Sequence, residues 1–150
     1  MDIIIRIITG FTGSLGFGVI FNLRKKFLLL ASLGGLISTI GYELLVLANV
    51  DDMLSCFIVA VVITLYAEIF ARIVKTPTTT FIITSLIPLI PGGALYYTMS
   101  AALEKKWDLF AQNAYYAIKM ALALAVGIIV VTTIVQLLYS LISIINNKKL

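Results

Sequence analysis

The chain has 150 residues, of which 61% are hydrophobic and 12% are charged, and its formal net charge is +4. Soluble domains carry roughly 25% charged residues and rarely expose large apolar patches, so this composition excludes a soluble globular domain and indicates an integral membrane protein. The basic residues lie in short scattered groups between apolar runs, which does not suggest a nucleic-acid partner.

Long apolar segments predict about five membrane-spanning helices, because one span needs about 20 mostly apolar residues. In chain order the expected spans are 3–23, 27–48, 53–71, 78–102 and 118–145. Strands of a membrane barrel would instead be short and alternate in polarity. We therefore expect an all-α bundle that forms a single transmembrane domain over residues 1–150. The N-terminus lacks a basic region, so the first span is expected to be retained and not cleaved as a signal peptide.

Small residues recur three or four positions apart in three of the expected spans. They are Gly10, Gly13 and Gly16 in the first, the pairs Ala31/Gly35 and Gly34/Ser38 in the second, and Ala117, Ala121 and Ala125 in the fifth. Such faces let helices approach closely in lipid. The partner helix belongs either to the same bundle or to a second chain, so a homo-oligomer stays open.

Four ionisable residues fall within or near the spans. Glu68 and Arg72 are four residues apart in the favoured order, which predicts a structural ion pair. Glu43 has no partner nearby in the sequence. It either carries a coupling proton or contacts a substrate, or its carboxylate simply reaches the interface. Lys119 is expected to extend its ammonium group to the membrane surface.

The fourth segment departs most from a plain span. Pro88 and Pro91 lie three residues apart and Gly92 and Gly93 follow. Each inner proline removes a backbone hydrogen bond, so the helix is expected to break or kink here. Broken helices place free backbone groups at transport sites, although a packing kink without a transport role is the alternative. The Thr84 hydroxyl would satisfy broken backbone or line a polar path.

The sequence contains no histidine and one cysteine. The absence of histidine removes the commonest metal ligand and general base, and no nucleotide-binding loop or nucleophile–base pair is present. Cys56 lies in an apolar run and is interpreted as a small buried side chain. We therefore expect no catalytic residues, no metal and no cofactor.

Basic residues in the expected loops predict the orientation. One side would collect Arg24, Lys25, Lys26, Arg72, Lys75, Lys148 and Lys149, and the other side Arg6, Lys105, Lys106 and Lys119. Because cytoplasmic loops are enriched in lysine and arginine, the N-terminus is expected outside and the C-terminus in the cytoplasm. Asp51 and Asp52, which have no basic neighbour in the sequence, would then lie outside.

The segment Phe81–Tyr97, with its P-x-x-P-G run, resembles the signature of the threonine/serine exporter (ThrE) family. More closely, the chain is similar to the small subunit of the split, two-chain form of that family, the YjjB-like proteins. The stretch Gly16–Asn22 before a basic loop and the placement of Arg72 five residues before Pro77 also agree. The resemblance covers essentially the whole chain.

The resemblance implies a subunit of a secondary exporter in the bacterial plasma (inner) membrane. Family members export threonine and serine, or in some split systems a dicarboxylate such as succinate, with an ion gradient as the driving force. Fused relatives carry a larger N-terminal half, so a separate large subunit is the implied partner. The alternative is a structural subunit that stabilises a transporting partner. A membrane enzyme would need a polar catalytic cluster at the interface, and the sequence shows none.

Overall fold

The computed structural model describes the backbone of residues 2–147 and the side chains of residues 3–141. Within this range the chain forms helices and no strand. The helices are α1 (Asp2–Ile20), α2 (Lys25–Leu47), α3 (Asp52–Val74), α4 (Thr79–Leu86), α5 (Gly92–Leu103) and α6 (Trp107–Asn147), with a 3-10 turn at Ile87–Leu89. Lys148 and Lys149, which were counted among the basic residues of the expected cytoplasmic side, lie outside the described residues.

The helix lengths confirm the predicted all-α membrane architecture. Four helices (α1, α2, α3 and α6) are each long and apolar enough to cross a membrane. A fifth span results when α4, the 3-10 turn and α5 are counted together, although this pair is bent by 60°. The predicted break in the fourth span is therefore confirmed.

Helices α3 and α6 run in the same direction. Asp52 at the start of α3 contacts Tyr116, and Arg72 near its end stacks on Tyr139. Since α6 begins at Trp107, its first turns extend about 14 Å beyond the start of α3 at a rise of 1.5 Å per residue. Helix α5 packs on these turns. We call residues 92–118 the α5–α6 hairpin.

The α5–α6 hairpin carries large exposed apolar side chains. Its most exposed members are Tyr96, Tyr97, Met99, Leu103, Trp107, Tyr115 and Ile118. We call the end of the bundle from which the hairpin extends the Asp51 end, after the residue that joins α2 to α3. The opposite end, where α1 joins α2 and α3 joins α4, is the Arg24 end.

Small side chains bring the helices to backbone contact. A methyl group built on Gly35 would overlap the Ser14 side chain and come within 3.1 Å of the Gly10 carbonyl oxygen. At Gly127 of α6 it would come within 2.8 Å of the Ala60 Cβ on α3. Gly10 of α1 and Gly35 of α2 therefore lie in the contact between these helices, whereas added methyl groups on Gly13 and Gly16 would meet no atom within 4 Å and one on Gly34 would meet Ser85 of α4.

The small residues of α6 pack in a different register from the expected one. Ala117 is buried, but Ala121 and Ala125 are exposed, whereas Ala123 and Gly127 are buried. Of the three alanines that were expected to form one packing face, only Ala117 is therefore buried within the chain. Ala123 belongs to the core cluster of α3 and α6, in which Cys56 is fully buried, as expected.

Candidate functional site

The fourth segment changes direction at its two inner prolines. Helix α4 ends at Leu86, and Pro88 lies at the start of the 3-10 turn. Pro91 then takes the N-cap position of α5, where its carbonyl oxygen accepts a 3.1 Å hydrogen bond from the Leu95 amide. Because proline lacks an amide hydrogen and clashes with the preceding turn, a straight helix cannot pass through both prolines.

Two adjoining cavities open at this bend. The first, of about 350 Å³, lies between α1, α2 and the 3-10 turn. The second, of about 420 Å³, lies between α1, α2, the start of α5 and α6. Arg6, Tyr42, Pro88 and Leu89 line both, so we treat them as one site and call it the bend cavity. Its size is within the range of small-molecule sites.

An ion pair between α1 and α2 borders the bend cavity. The Arg6 Nη1 atom donates a 2.9 Å hydrogen bond to Glu43 Oε1. Glu43 is buried, whereas the Arg6 side chain is 63% exposed. A charge at the bilayer centre costs about 2.5–3.5 kcal/mol on insertion scales, and the Arg6 guanidinium offsets part of that cost for the carboxylate. The guanidinium also remains accessible to a ligand.

Two tyrosines connect the bend cavity to the Asp51 end. The Tyr116 hydroxyl donates a 3.0 Å hydrogen bond to Asp52 Oδ2, and Tyr42 lies beside both residues. Tyr42 and Tyr116 both line the second cavity. Polar groups on α2, α3 and α6 therefore meet at the edge of the bend cavity.

A second ion pair lies at the Asp51 end. The Lys119 ammonium is 3.3 Å from Asp51 Oδ2. The Met53 amide and then Lys119 hold the pKa of the Asp51 carboxyl below its ordinary value, because both favour the ionised form. Lys119 was expected to extend to the membrane surface, and Asp51 has no basic neighbour in the sequence. In the structure the two side chains contact each other, although they are 68 positions apart.

The structure brings together most of the predicted pathway residues. Glu43 lines the first cavity, Pro88 lines both, and Pro91, Gly92 and Gly93 line the second. The first-turn amides of a helix have no partner within the helix. The Gly92 amide donates to the Ile90 carbonyl oxygen over 2.7 Å, which leaves the Gly93 amide as a backbone donor beside this cavity. These residues are contributed by α2 and the bend.

The other predicted residues lie apart from the bend cavity. The Thr84 hydroxyl is buried and donates to the carbonyl oxygens of Thr80 and Phe81 in its own helix. Arg72 Nη2 lies 2.9 Å from Glu68 Oε2, and the guanidinium stacks on Tyr139 with its carbon 3.5 Å from the ring centre. These contacts stabilise α3 and join it to α6.

Sequence reasoning did not identify Arg6, Tyr42 or Tyr116 as site residues. Arg6 was assigned to an outer loop, and its partner is 37 positions away on the next helix. The available signal was a lone charge at the start of an otherwise uncharged apolar segment. Tyr42 and Tyr116 carried no such signal, since their proximity depends on how three helices pack.

The bend cavity combines one accessible cation, one buried carboxylate and two tyrosine rings with a helix start. Such a set can hold a small molecule that carries both a carboxylate and an ammonium group, because each charge finds its opposite. Among the described residues, no group of three or more cysteine, aspartate or glutamate side chains could hold a metal ion.

Comparison with known proteins identifies a family. The family model described as "Threonine/Serine exporter, ThrE" matches residues 6–134. No curated protein and no solved structure matches the chain. The matched region includes Arg6, Glu43 and the whole bend.

Proposed function

The chain belongs to the threonine/serine exporter (ThrE) family, and from this we propose that it is the small subunit of a secondary exporter for small polar metabolites. The proposed substrates are threonine and serine, or a dicarboxylate such as succinate. An ion gradient would drive export, and a separate large subunit would complete the complex. The observation that carries the proposal is the opening of the broken fourth span onto a cavity that contains the Arg6–Glu43 ion pair.

The charges of the bend cavity favour an amino acid over a dicarboxylate. In our proposal the substrate carboxylate binds the Arg6 guanidinium and the Gly93 amide, and its ammonium group binds Glu43. A dicarboxylate would leave Glu43 without a cation and would place like charges together, which costs free energy. The substrate would thus replace the ion pair with two new charge pairs.

We propose that the bend supplies the moving part of the transport cycle. Hinges absorb backbone rotation at a few element ends, and Ile90–Pro91 forms such a junction between two short helices. Thr84 would support the bend from α4 through its bonds to helix carbonyls. The Arg6–Glu43 pair would close the site in the absence of substrate.

We propose a multi-pass protein of the bacterial plasma membrane with the Asp51 end outside. Arg24, Lys25, Lys26, Arg72 and Lys75 lie at the Arg24 end, and enrichment in basic residues is typical of the cytoplasmic side. The N-terminus would therefore be outside and the C-terminus in the cytoplasm. The bend cavity would lie in the outer half of the membrane.

A second candidate function is a stabilising subunit that does not itself transport. The exposed aromatic residues of the α5–α6 hairpin favour it, because Tyr96, Tyr97 and Trp107 are each at least 60% exposed. Exposed apolar surface of this kind is typical of an interaction site. A large subunit that contained the whole pathway would then use this chain as a support.

Whole-cell efflux separates the two functions. Efflux of labelled threonine, serine and succinate would be measured in cells that express this chain, a large-subunit candidate encoded beside it, or both. We expect efflux of threonine and serine only when both chains are present. Efflux from the large subunit alone, at the level of the pair, would assign this chain the stabilising function.

Pro91→Ala is expected to lower export about tenfold, equal to about 1.4 kcal/mol in transition-state free energy. The substitution frees the backbone at the N-cap of α5 and adds an amide where none exists. Efflux would be measured at matched membrane abundance. Gly16→Ala is the control, since an added methyl there meets no atom within 4 Å. Normal export by Pro91→Ala would exclude the bend as the moving part.

A further inference from the structure

A separate cavity lies at the Arg24 end of the bundle. It has a volume of about 370 Å³ and is formed by the α1–α2 and α3–α4 connections. Arg24 and Lys75 contribute its cations, and Asn22 and Thr76 contribute polar groups. No aspartate or glutamate lines it. This cavity shares no residue with the bend cavity.

Ordered turns fix the backbone beside both basic residues. Asn22 and Lys75 adopt the left-handed backbone conformation, with φ of 54° and 53°. The Leu23 amide donates to the Gly18 carbonyl over 3.0 Å, and the Thr76 amide donates to the Ala71 carbonyl over 2.9 Å. These are the capping bonds that end a helix at a defined residue. The cavity is therefore built from the rigid ends of α1 and α3.

In the part of the chain whose side chains are described, no carboxylate neutralises the positive charge of the cavity. Within residues 3–141, neither Arg24 nor Lys75 takes part in a salt bridge. Helix α2 begins with Lys25 and Lys26 and has no acidic residue in its first turn, although the helix dipole favours negative charge there. An anion bound in the cavity would neutralise the two basic side chains and would also place negative charge near the start of α2.

A polar atom inside the cavity wall also lacks a partner. The Thr76 hydroxyl oxygen is inaccessible to solvent and forms no hydrogen bond within the part of the chain that the structure describes. A buried hydroxyl without a partner costs about 1–3 kcal/mol. A ligand with acceptor oxygens would accept hydrogen bonds from Arg24 and Lys75, and a small rotation of the Thr76 side chain toward the cavity would bring its hydroxyl to the same oxygens.

We propose that this cavity binds the phosphate headgroup of an anionic phospholipid. Basic pockets between spanning helices at the membrane surface bind such headgroups. Ile20, Phe21 and Ile73, which flank the turns, are each more than half exposed, so acyl chains would pack on them. A free phosphate ion shares the headgroup chemistry but would leave these apolar side chains uncovered. The proposal does not depend on the exporter function.

Lipid titration of the purified full-length chain, in complex with its large subunit if one is required, tests this site. Thermal melting in a neutral detergent would be followed against added phosphatidylglycerol, phosphatidylcholine or inorganic phosphate. We expect half-maximal stabilisation at a lower concentration of phosphatidylglycerol than of phosphatidylcholine. Equal responses to the two lipids would overturn the proposal. Stabilisation by inorganic phosphate to the same extent would assign the site to a free anion and overturn the lipid assignment.

Charge-removing variants locate the binding. Arg24→Gln and Lys75→Asn are each expected to weaken phosphatidylglycerol binding about fivefold, since one basic residue contributes about 1 kcal/mol to anionic lipid binding. Asparagine tolerates the left-handed conformation of position 75, so that turn should persist. Lys105→Asn, which removes an equal charge at a left-handed position of the α5–α6 hairpin (φ 58°), should leave binding unchanged. If Arg24→Gln fails to fold, Arg24→Lys serves as the second variant, and it should retain phosphatidylglycerol binding because it keeps the charge. Unaltered binding in Lys75→Asn would refute the site.

Discussion

Gly35→Ala is expected to destabilise the bundle by about 3 kcal/mol, at the upper end of the usual cost of overpacking. The added methyl would overlap the fully buried Ser14 side chain and approach the Gly10 carbonyl oxygen. The conflict includes backbone atoms of α1, so a change of rotamer does not relieve it and the two helices must separate. The melting temperature from circular dichroism, with gel filtration of the detergent complex, would measure the loss.

The chain provides its own controls for this effect. Gly16→Ala adds the same methyl to α1 in open space and should be neutral or slightly stabilising, because alanine favours helix over glycine by about 1 kcal/mol. Ser14→Gly combined with Gly35→Ala removes the overlapping side chain and should recover part of the stability. If Gly35→Ala melts at the same temperature as the unaltered chain, α1 and α2 do not touch at this point.

Arg6→Ala is expected to reduce threonine and serine export at least tenfold, and Glu43→Gln to reduce it by a similar factor. Loss of the guanidinium removes the proposed carboxylate partner and leaves Glu43, which is 8% exposed, without its cation. A buried group without a partner costs about 1–3 kcal/mol, so Arg6→Ala should also lower the melting temperature. Efflux assays at matched abundance and thermal melts would measure the two effects separately.

A double-mutant cycle shows whether the two residues act as a pair. Arg6→Ala with Glu43→Gln should be more stable than Arg6→Ala alone, because the neutral amide needs no cation, and should still fail to export. Lys106→Ala breaks the exposed Lys106–Glu104 pair of the α5–α6 hairpin and is the matched control, with export and stability unchanged. Additive effects at positions 6 and 43 would show that they are not coupled.

The architecture could be predicted because it depends on local properties of the chain. Apolar run length defines a span, and the spacing of Pro88 and Pro91 defines the break wherever the neighbouring helices lie. The same reasoning located Gly92 and Gly93 beside that break. These features need no knowledge of which helices touch.

The site could be predicted only in part because its key contacts are tertiary. Glu43 was identified as unusual, but Arg6 was not recognised as its partner, since the pairing depends on the packing of α1 on α2. The alanines of α6 illustrate the same limit. Alanines at 121 and 125 fit a helix face, yet the face that meets α3 carries Ala123 and Gly127, because the packing partner decides which face is buried.

The extension of α6 beyond α3 has a practical consequence for spectroscopy. Trp107 is the single tryptophan of the chain and lies at the tip of the α5–α6 hairpin with 65% of its surface exposed. The intrinsic tryptophan fluorescence therefore reports the surroundings of the hairpin alone, without an engineered label. The lone cysteine, Cys56, is fully buried and would not react with a thiol-reactive dye in the folded chain. A cysteine introduced at an exposed position would therefore be labelled selectively. Immersion of the hairpin in lipid, or its coverage by a partner, would shift the emission of the unmodified protein to shorter wavelength.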